Sequence, residues 1–261
     1  MMIRTLGCLP IATFPAGVAH AAGLDDLTSA GIVTVAAAID TETLRLEDGR
    51  VVRLAGIDVP KQGQDYDPNY GPAATNLINQ LTEGRRIEIL RDVRKFDRHG
   101  RLLAHVRRVG GDGGPDDWLQ GALLARGLAR VMTLPGNTAL AAEMLAIEGM
   151  ARSAGRGLWS DAGYRVLTID DLESAVGRFQ VVEGTVVDVA LTGRRGYLNF
   201  GSDYKTDFTV TFETSVRRLL DQAGIDPLAI KGHRIRVRGW LESFNGPMIE
   251  MTHPQQIEVL E

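Results

Sequence analysis

Asp40-Thr41-Glu42-Thr43-Leu44-Arg45-Leu46-Glu47-Asp48-Gly49-Arg50-Val51-Val52-Arg53-Leu54-Ala55-Gly56-Ile57-Asp58-Val59-Pro60-Lys61 is the stretch on which the fold turns. Apolar and polar residues alternate on both sides of Glu47-Asp48-Gly49-Arg50, which predicts two short strands joined by a tight Asp-Gly turn. The hairpin ends at Asp58 and Pro60. Proline has no N–H to give a ladder and disfavours helix in the residue before it, so the chain leaves the sheet there. Four charges, Glu42, Arg53, Asp58 and Lys61, gather at that exit.

Upstream, the apolar run from Gly31 to Ile39 predicts a buried strand leading into the hairpin. Downstream, a polar loop holds Gln62, Gln64, Asp65 and Asp67; Tyr70-Gly71-Pro72 then opens a helix with Leu77, Ile78 and Leu81 on its buried stripe, and Gly84 stops it. Ile87, Ile89 and Leu90 belong to one further strand and Leu102 to Val106 to another, with Asp97-Arg98-His99-Gly100 as the turn. Three strands, a helix and two strands describe an OB-type barrel. Helical spacing recurs at Trp118, Leu119, Leu123 and Leu124, and again from Thr138 to about Ser153 through Leu140, Met144, Leu145 and Ile147.

The same order of elements returns after a connector over 161–177. Strands are expected at 179–191, 197–200 and 208–212, a helix at 214–222, and strands at 234–241 and 248–251, the last two joined by Asn245-Gly246. The fold class is therefore mainly β with α, as two tandem OB-fold-like barrels over 31–160 and 178–261.

At 261 residues the chain accommodates two modest cores, and its net charge of -4 carries no global signature of a nucleic-acid binder. A local one exists. Between Arg85 and Arg108, nine basic residues (Arg85, Arg86, Arg91, Arg94, Lys95, Arg98, Arg101, Arg107 and Arg108) face only Glu88, Asp92 and Asp97, the asymmetry of a phosphate-tracking surface or of a solvated face. The second half pairs Tyr197, Phe200, Tyr204, Phe208 and Trp240 with Arg194, Arg195, Lys205, Arg234, Arg236 and Arg238. These are the ingredients of a stacking groove, although aromatics in small barrels are more often core. Arg4, an interrupted apolar run and Ala19-His20-Ala21-Ala22 make residues 1–22 a secretory signal, or else a tail, and imply an exported protein. Cys8 is the only cysteine, so the mature chain has neither disulfides nor thiolate metal sites. No later segment is apolar over a membrane-spanning length.

From Val33 to Ser160 the chain resembles the staphylococcal nuclease (thermonuclease) family. The resemblance rests on Ala-Ile-Asp-Thr-Glu-Thr, Val-Arg-Leu-Ala-Gly-Ile-Asp-Val-Pro, Tyr-Gly-Pro-Ala-Ala, Asp-Arg-His-Gly-Arg, Gly-Leu-Ala-Arg-Val and Leu-Trp-Ser, in that order. It implies an OB barrel of the kind carried by calcium-dependent nucleases. By the same resemblance Arg53 and Arg101 are the phosphate-clamping arginines, and Asp58 and Glu42 are the metal-binding carboxylates. Lys61 stands at the catalytic glutamate and Val59 at the threonine before the proline. Arg98 and His99 replace a lysine and a nucleotide-stacking tyrosine, and no tyrosine follows Val131. Together with Arg94 and Lys95, Arg98 and His99 are expected to contact nucleic acid.

In-line phosphodiester hydrolysis needs an activated water and a way to hold charge on the phosphoryl oxygens. Two guanidinium forks supply the second requirement. Two carboxylates are few for calcium, which takes six to eight oxygens. A lysine ammonium has no lone pair with which to accept a proton, and loss of the general base alone costs about 10² to 10⁴ in rate. The leading expectation is a protein that binds single-stranded DNA or RNA and cleaves weakly or not at all, with calcium weakly held or absent. Two other readings stay open: an active calcium-dependent endonuclease with Asp65 or Asp67 as base, and a non-catalytic cell-envelope module that binds a protein partner. The structural alternative pairs Arg53 and Arg101 with Asp58 and Glu42 in a salt-bridge network that closes the barrel end.

Overall fold

The hairpin forms where the alternation places it: β2 (Thr43–Leu46) and β3 (Val51–Leu54) pair antiparallel, Thr43 opposite Arg53 and Leu44 opposite Val52. Gly49 takes a φ of 86° in the turn between them, a left-handed conformation that glycine adopts without steric cost. The protein is described by a computed structural model over residues 23–61, 69–111, 114–203 and 205–260. The expected leader with Cys8, the loop residues Gln62, Gln64, Asp65 and Asp67, and Tyr204 lie outside the described residues.

Around the hairpin, β1 (Thr28–Asp40), β5 (Arg86–Arg91) and β6 (Leu102–Arg108) complete a closed barrel of order β1-β2-β3-β6-β5. The contact between β3 and β6 is parallel and the rest are antiparallel. β4 (Ile57–Asp58) and α1 (Tyr70–Thr82) lie between β3 and β5 in the chain. β4 leaves the barrel to pair with β7 (Arg130–Val131), which follows α2 (Leu119–Ala125). α3 (Ala141–Ser153) comes next.

The strand expected to be buried between Gly31 and Ile39 forms, but Val35 is its only buried residue in that span, and Ile32 and Ile39 are 49% and 46% exposed. The reason lies in its double duty. β1 pairs with β5 through its first half and with β2 through its second, with register shifts between Ser29 and Ile32, Val35 and Ala37, and Ala38 and Asp40. Bulges of this kind break the alternation that would bury every second side chain.

The second sheet comprises β8 (Leu167–Thr168), β9 (Phe179–Thr185), β10 (Asp188–Thr192), β11 (Arg195–Asn199), β12 (Thr209–Glu213), β13 (Arg234–Ser243), β14 (Pro247–Met251) and β15 (Ile257–Val259), with α4 (Thr214–Gln222) after β12. Its order is β10-β11-β12-β14-β13-β9-β8, with β15 on β13. If β9 and β10 are taken as one interrupted strand and β8, which adds in parallel to β9, is set aside, this is the order of the first barrel, again with one parallel contact, between β12 and β14. At the interruption Val186 N donates to His233 O on one side and Val187 N to Asn199 O on the other. The two edges of the sheet are thus joined through the chain rather than by a continuous ladder. Within the stretch expected as a connector, β8 pairs with β9, and Leu167, Leu172 and Ala175 enter the second core.

Two apolar cores result, one from Leu27 to Met144 and one from Leu167 to Ile257. What ties α2 to the end of the first unit is a crossing of two glycines. Leu158 N donates to Gly127 O at 2.8 Å, and a Cβ on Gly127 would stand 2.1 Å from Arg156 O. Gly127 and Gly157 carry φ of 65° and 52°, so the Gly-Leu-Ala-Arg-Val and Gly-Leu-Trp-Ser runs need glycine for close approach as well as for conformation.

Candidate functional site

Val52 and Leu54 point into the barrel core, so their neighbour Arg53 points out. Thr43 and Leu103 are its directly opposed partners on β2 and β6. Arg101, two residues before Leu103, shares that face, and its Nη1 donates to Thr43 Oγ1 at 3.0 Å. The two arginines named from the sequence therefore flank one threonine on one outer face of the barrel.

Each guanidinium is held by a carboxylate. Arg53 Nη2 donates to Glu42 Oε2 at 2.9 Å, and Arg101 Nε donates to Asp97 Oδ2 at 2.7 Å. Asp97 also accepts from the backbone N–H groups of His99 and Arg101. Burial works to raise the Asp97 carboxyl, but the bonds from Arg101 and His99 outweigh it and hold it below the usual carboxylate range. Asp97 thus fixes both the turn and the arginine that follows it. On the same segment Arg94, Lys95, Arg98 and His99 are all exposed, and Arg98 Nε donates to His99 Nε2 at 3.0 Å.

Glu42 is buried at 1% exposure. Its Oε1 accepts from Val59 N at 2.8 Å, its Oε2 accepts from Arg53, and Lys61 Nζ stands 3.8 Å from the same Oε2. Burial raises its carboxyl above the ordinary value, while Arg53, the Val59 N–H and Lys61 pull the other way. Asp58 takes a different partner: Arg130 Nη2 donates to its Oδ2 at 2.8 Å. Of the salt-bridge network considered from the sequence, only Arg53 with Glu42 forms as drawn. Arg101 goes to Asp97, and Asp58 to Arg130.

Arg130 escaped the sequence reading although it is central to the site. Its guanidinium is buried, lying 5.3 Å from the Tyr164 ring centroid and 5.1 Å from that of Phe179, a cation between two aromatic faces. The available signal was a charge inside the otherwise apolar run Leu128-Ala129-Arg130-Val131. Asp97 and Thr43 were likewise unassigned.

Much of the nominal basic surface is neutralised. Arg107 donates to Glu88 and Asp25, and Arg108 lies 3.9 Å from Asp117. In the second unit Phe200 and Phe208 are core, as the commoner expectation had it. Arg234 and Arg236 pair with Glu183, and Arg236 and Arg238 with Glu258. Arg238 is itself fully buried against Glu148 of α3. Trp240, by contrast, is 58% exposed.

The carboxylates do not fit calcium. Both oxygens of Glu42 already accept N–H donors and one faces an ammonium, while an Asp58 oxygen is occupied by Arg130. Among the described residues no three His, Cys, Asp or Glu side chains are grouped to hold a metal. A hard divalent ion needs several free oxygens and no cation beside it.

Residues 51–161 match the family model described as staphylococcal nuclease homologue. The match begins after β2, so Glu42 and Thr43 lie ahead of it. No curated protein matches the chain.

Proposed function

From a chain whose residues 51–161 match the staphylococcal nuclease homologue family model, we propose a nucleic-acid-binding protein that grips phosphodiesters at the outer face bearing Arg53 and Arg101 and does not hydrolyse them at a nuclease's rate. One observation carries the reading: Lys61 Nζ lies 3.8 Å from Glu42 Oε2, so an ammonium stands beside the carboxylate that the resemblance assigns to the metal.

Chemically, the face is suited to binding. Two guanidinium groups on one face present paired donors to phosphate oxygens, and the exposed Arg94, Lys95, Arg98 and His99 extend positive potential along the adjoining segment. It lacks what hydrolysis requires. Lys61 as an ammonium accepts no proton, and the carboxylates beside it are taken by arginines. A phosphate arriving at Arg53 competes with Glu42 for the same guanidinium, which favours reversible binding over tight capture.

Fluorescence anisotropy with labelled single-stranded DNA and RNA, run with a cleavage assay in millimolar calcium, tests the proposal. Expected are micromolar-range binding that weakens steeply with salt, no appreciable turnover, and an affinity loss of roughly tenfold for Arg101→Gln, the scale of one charge-assisted hydrogen bond. Turnover comparable to an active nuclease, or salt-insensitive or undetectable binding at low salt, overturns it. Export through residues 1–22 belongs to the same proposal. Mass spectrometry of protein from the native host should place the mature N-terminus near Gly23, and retention of the segment refutes export.

A further inference from the structure

Where the first barrel meets the second sheet, a cavity of about 260 Å³ opens beside the charged cluster. The first barrel contributes Asp58, Lys61 and Arg130 to its wall, and the second unit contributes Arg178, Phe179 and Trp240. Three cations and one carboxylate thus line a small space that also carries aromatic surface. Trp240 is the distinctive element. A tryptophan 58% exposed on a strand whose neighbours Gly239 and Leu241 are buried is not filling a core.

Its position is determined by the backbone around it. Trp240 lies opposite Phe179 in the β13–β9 ladder. Leu241 N donates to Arg178 O at 2.9 Å and Gly177 N to Leu241 O at 2.7 Å. The indole therefore stands on rigid strand at the cavity wall, and among the described residues it makes no ring contact. Lys61, also in the wall, leads back through Glu42 to Arg53, so the cavity connects through charged contacts to the arginine face of the first barrel.

We propose that this junction is a base-stacking subsite: a single-stranded nucleic acid whose phosphates lie on the first barrel inserts one base against Trp240, with Lys61 and Arg178 meeting the flanking phosphate charge. The second unit then supplies the aromatic platform, and the binding site is complete only when both units are present. Base–aromatic stacking is tolerant of sequence and contributes substantially per base, and the combination of such a platform with a cationic track is the general design for holding single strands. Its volume of about 260 Å³ suits a single unpaired base, so the proposed subsite favours unpaired nucleic acid. The proposal rests on the phosphate-binding reading above, and the experiment separates the two.

Full-length wild type, Trp240→Ala and Trp240→Phe are titrated with an oligothymidylate and with the same backbone lacking bases. Trp240 is exposed, so neither substitution disturbs a core, and thermal melting checks that. The expected result is that wild type prefers the base-bearing strand by roughly tenfold or more, that Trp240→Ala removes the preference, and that Trp240→Phe retains most of it. The dependence of affinity on salt should be the same in all three, because no phosphate contact is changed. If Trp240→Ala keeps the preference while Arg101→Gln still weakens binding, the subsite is refuted and the phosphate face stands. If wild type binds neither strand at low salt, both fall.

Discussion

Lys61 sets the local charge balance at the scale of one residue. Its ammonium lies 3.8 Å from an oxygen of Glu42, a carboxyl that burial already holds above its usual range. A cation at that spot lowers the cost of the buried negative charge, which is what a divalent metal would do there. Lys61→Glu reverses the sign. Two carboxylates then face one another with Arg53 as their nearest counter-charge, and relief comes from an added cation. Calcium at about 10 mM should raise the melting temperature of the Lys61→Glu protein by about 2–4 °C, as expected for a ligand held at about 1 mM, and leave wild type unmoved. Stabilisation of wild type by calcium contradicts the misfit argued above. No shift in the variant shows that the arginines, rather than Lys61, keep the metal out.

At the scale of an element, the two residues of β7 carry more than their length suggests. Arg130 reaches Asp58 and lies between the Tyr164 and Phe179 rings. Val131 donates its N–H to Glu148 Oε1 at 2.7 Å and accepts from Arg238 Nη1 at 3.1 Å. The strand that presents Arg130 to the site is therefore clamped by α3 on its N–H side and by β13 on its carbonyl side. Glu148 and Arg238 are at most 1% exposed, and removing Arg238 leaves the buried Glu148 with the longer contact to Arg152, 3.4 Å, as its remaining ion pair. Arg238→Met should destabilise the protein by about 3–5 kcal/mol in urea unfolding. The double change with Glu148→Gln should lose less than Arg238→Met alone, and a loss equal to or larger than the single variant's would show that the pair is not what holds the strand.

Across the whole molecule, the two units meet through buried polar groups. His253 Nε2 lies 2.7 Å from Thr133 Oγ1, and Thr252 Oγ1 lies 2.9 Å from its Nδ1. Burial pushes both His253 and His105 down to about 4. In the folded protein these rings stay neutral while the unfolded chain takes up protons near 6.5, so stability is full above that pH and is lost as pH falls towards 4. Each ring can account for a loss on the order of 3 kcal/mol over that window. Glu42 acts in the opposite sense, because protonation relieves its buried charge. Unfolding free energies between pH 7 and pH 4 should therefore fall on acidification, and His105→Gln should flatten the profile. A wild-type profile that is level down to pH 4.5 contradicts the burial of the neutral rings.

Much of the fold was legible because it is written in short-range pattern. The alternation around Asp48-Gly49 and the turn at Asn245-Gly246, where φ reaches 53° and 93°, act over a few residues and need no distant partner. Arg53 and Arg101 stand out through motifs, and strand pairing for the first and a side-chain hydrogen bond for the second bring them to one threonine. Arg130, Arg238 and the role of Trp240 do not stand out. Arg130 finds Asp58 across 72 residues and Arg238 finds Glu148 across 90, and an arginine in an alternating strand reads the same whether it faces water or a buried carboxylate. The sequence by itself determined the order of elements along the chain and the charges that follow the hairpin, through periodicity and turn chemistry, while the pairing of strands into a closed barrel is a long-range fact. Only the tertiary structure decided which charges neutralise one another and which remain for a ligand, because ion pairing and burial depend on separation in space, which local sequence does not encode.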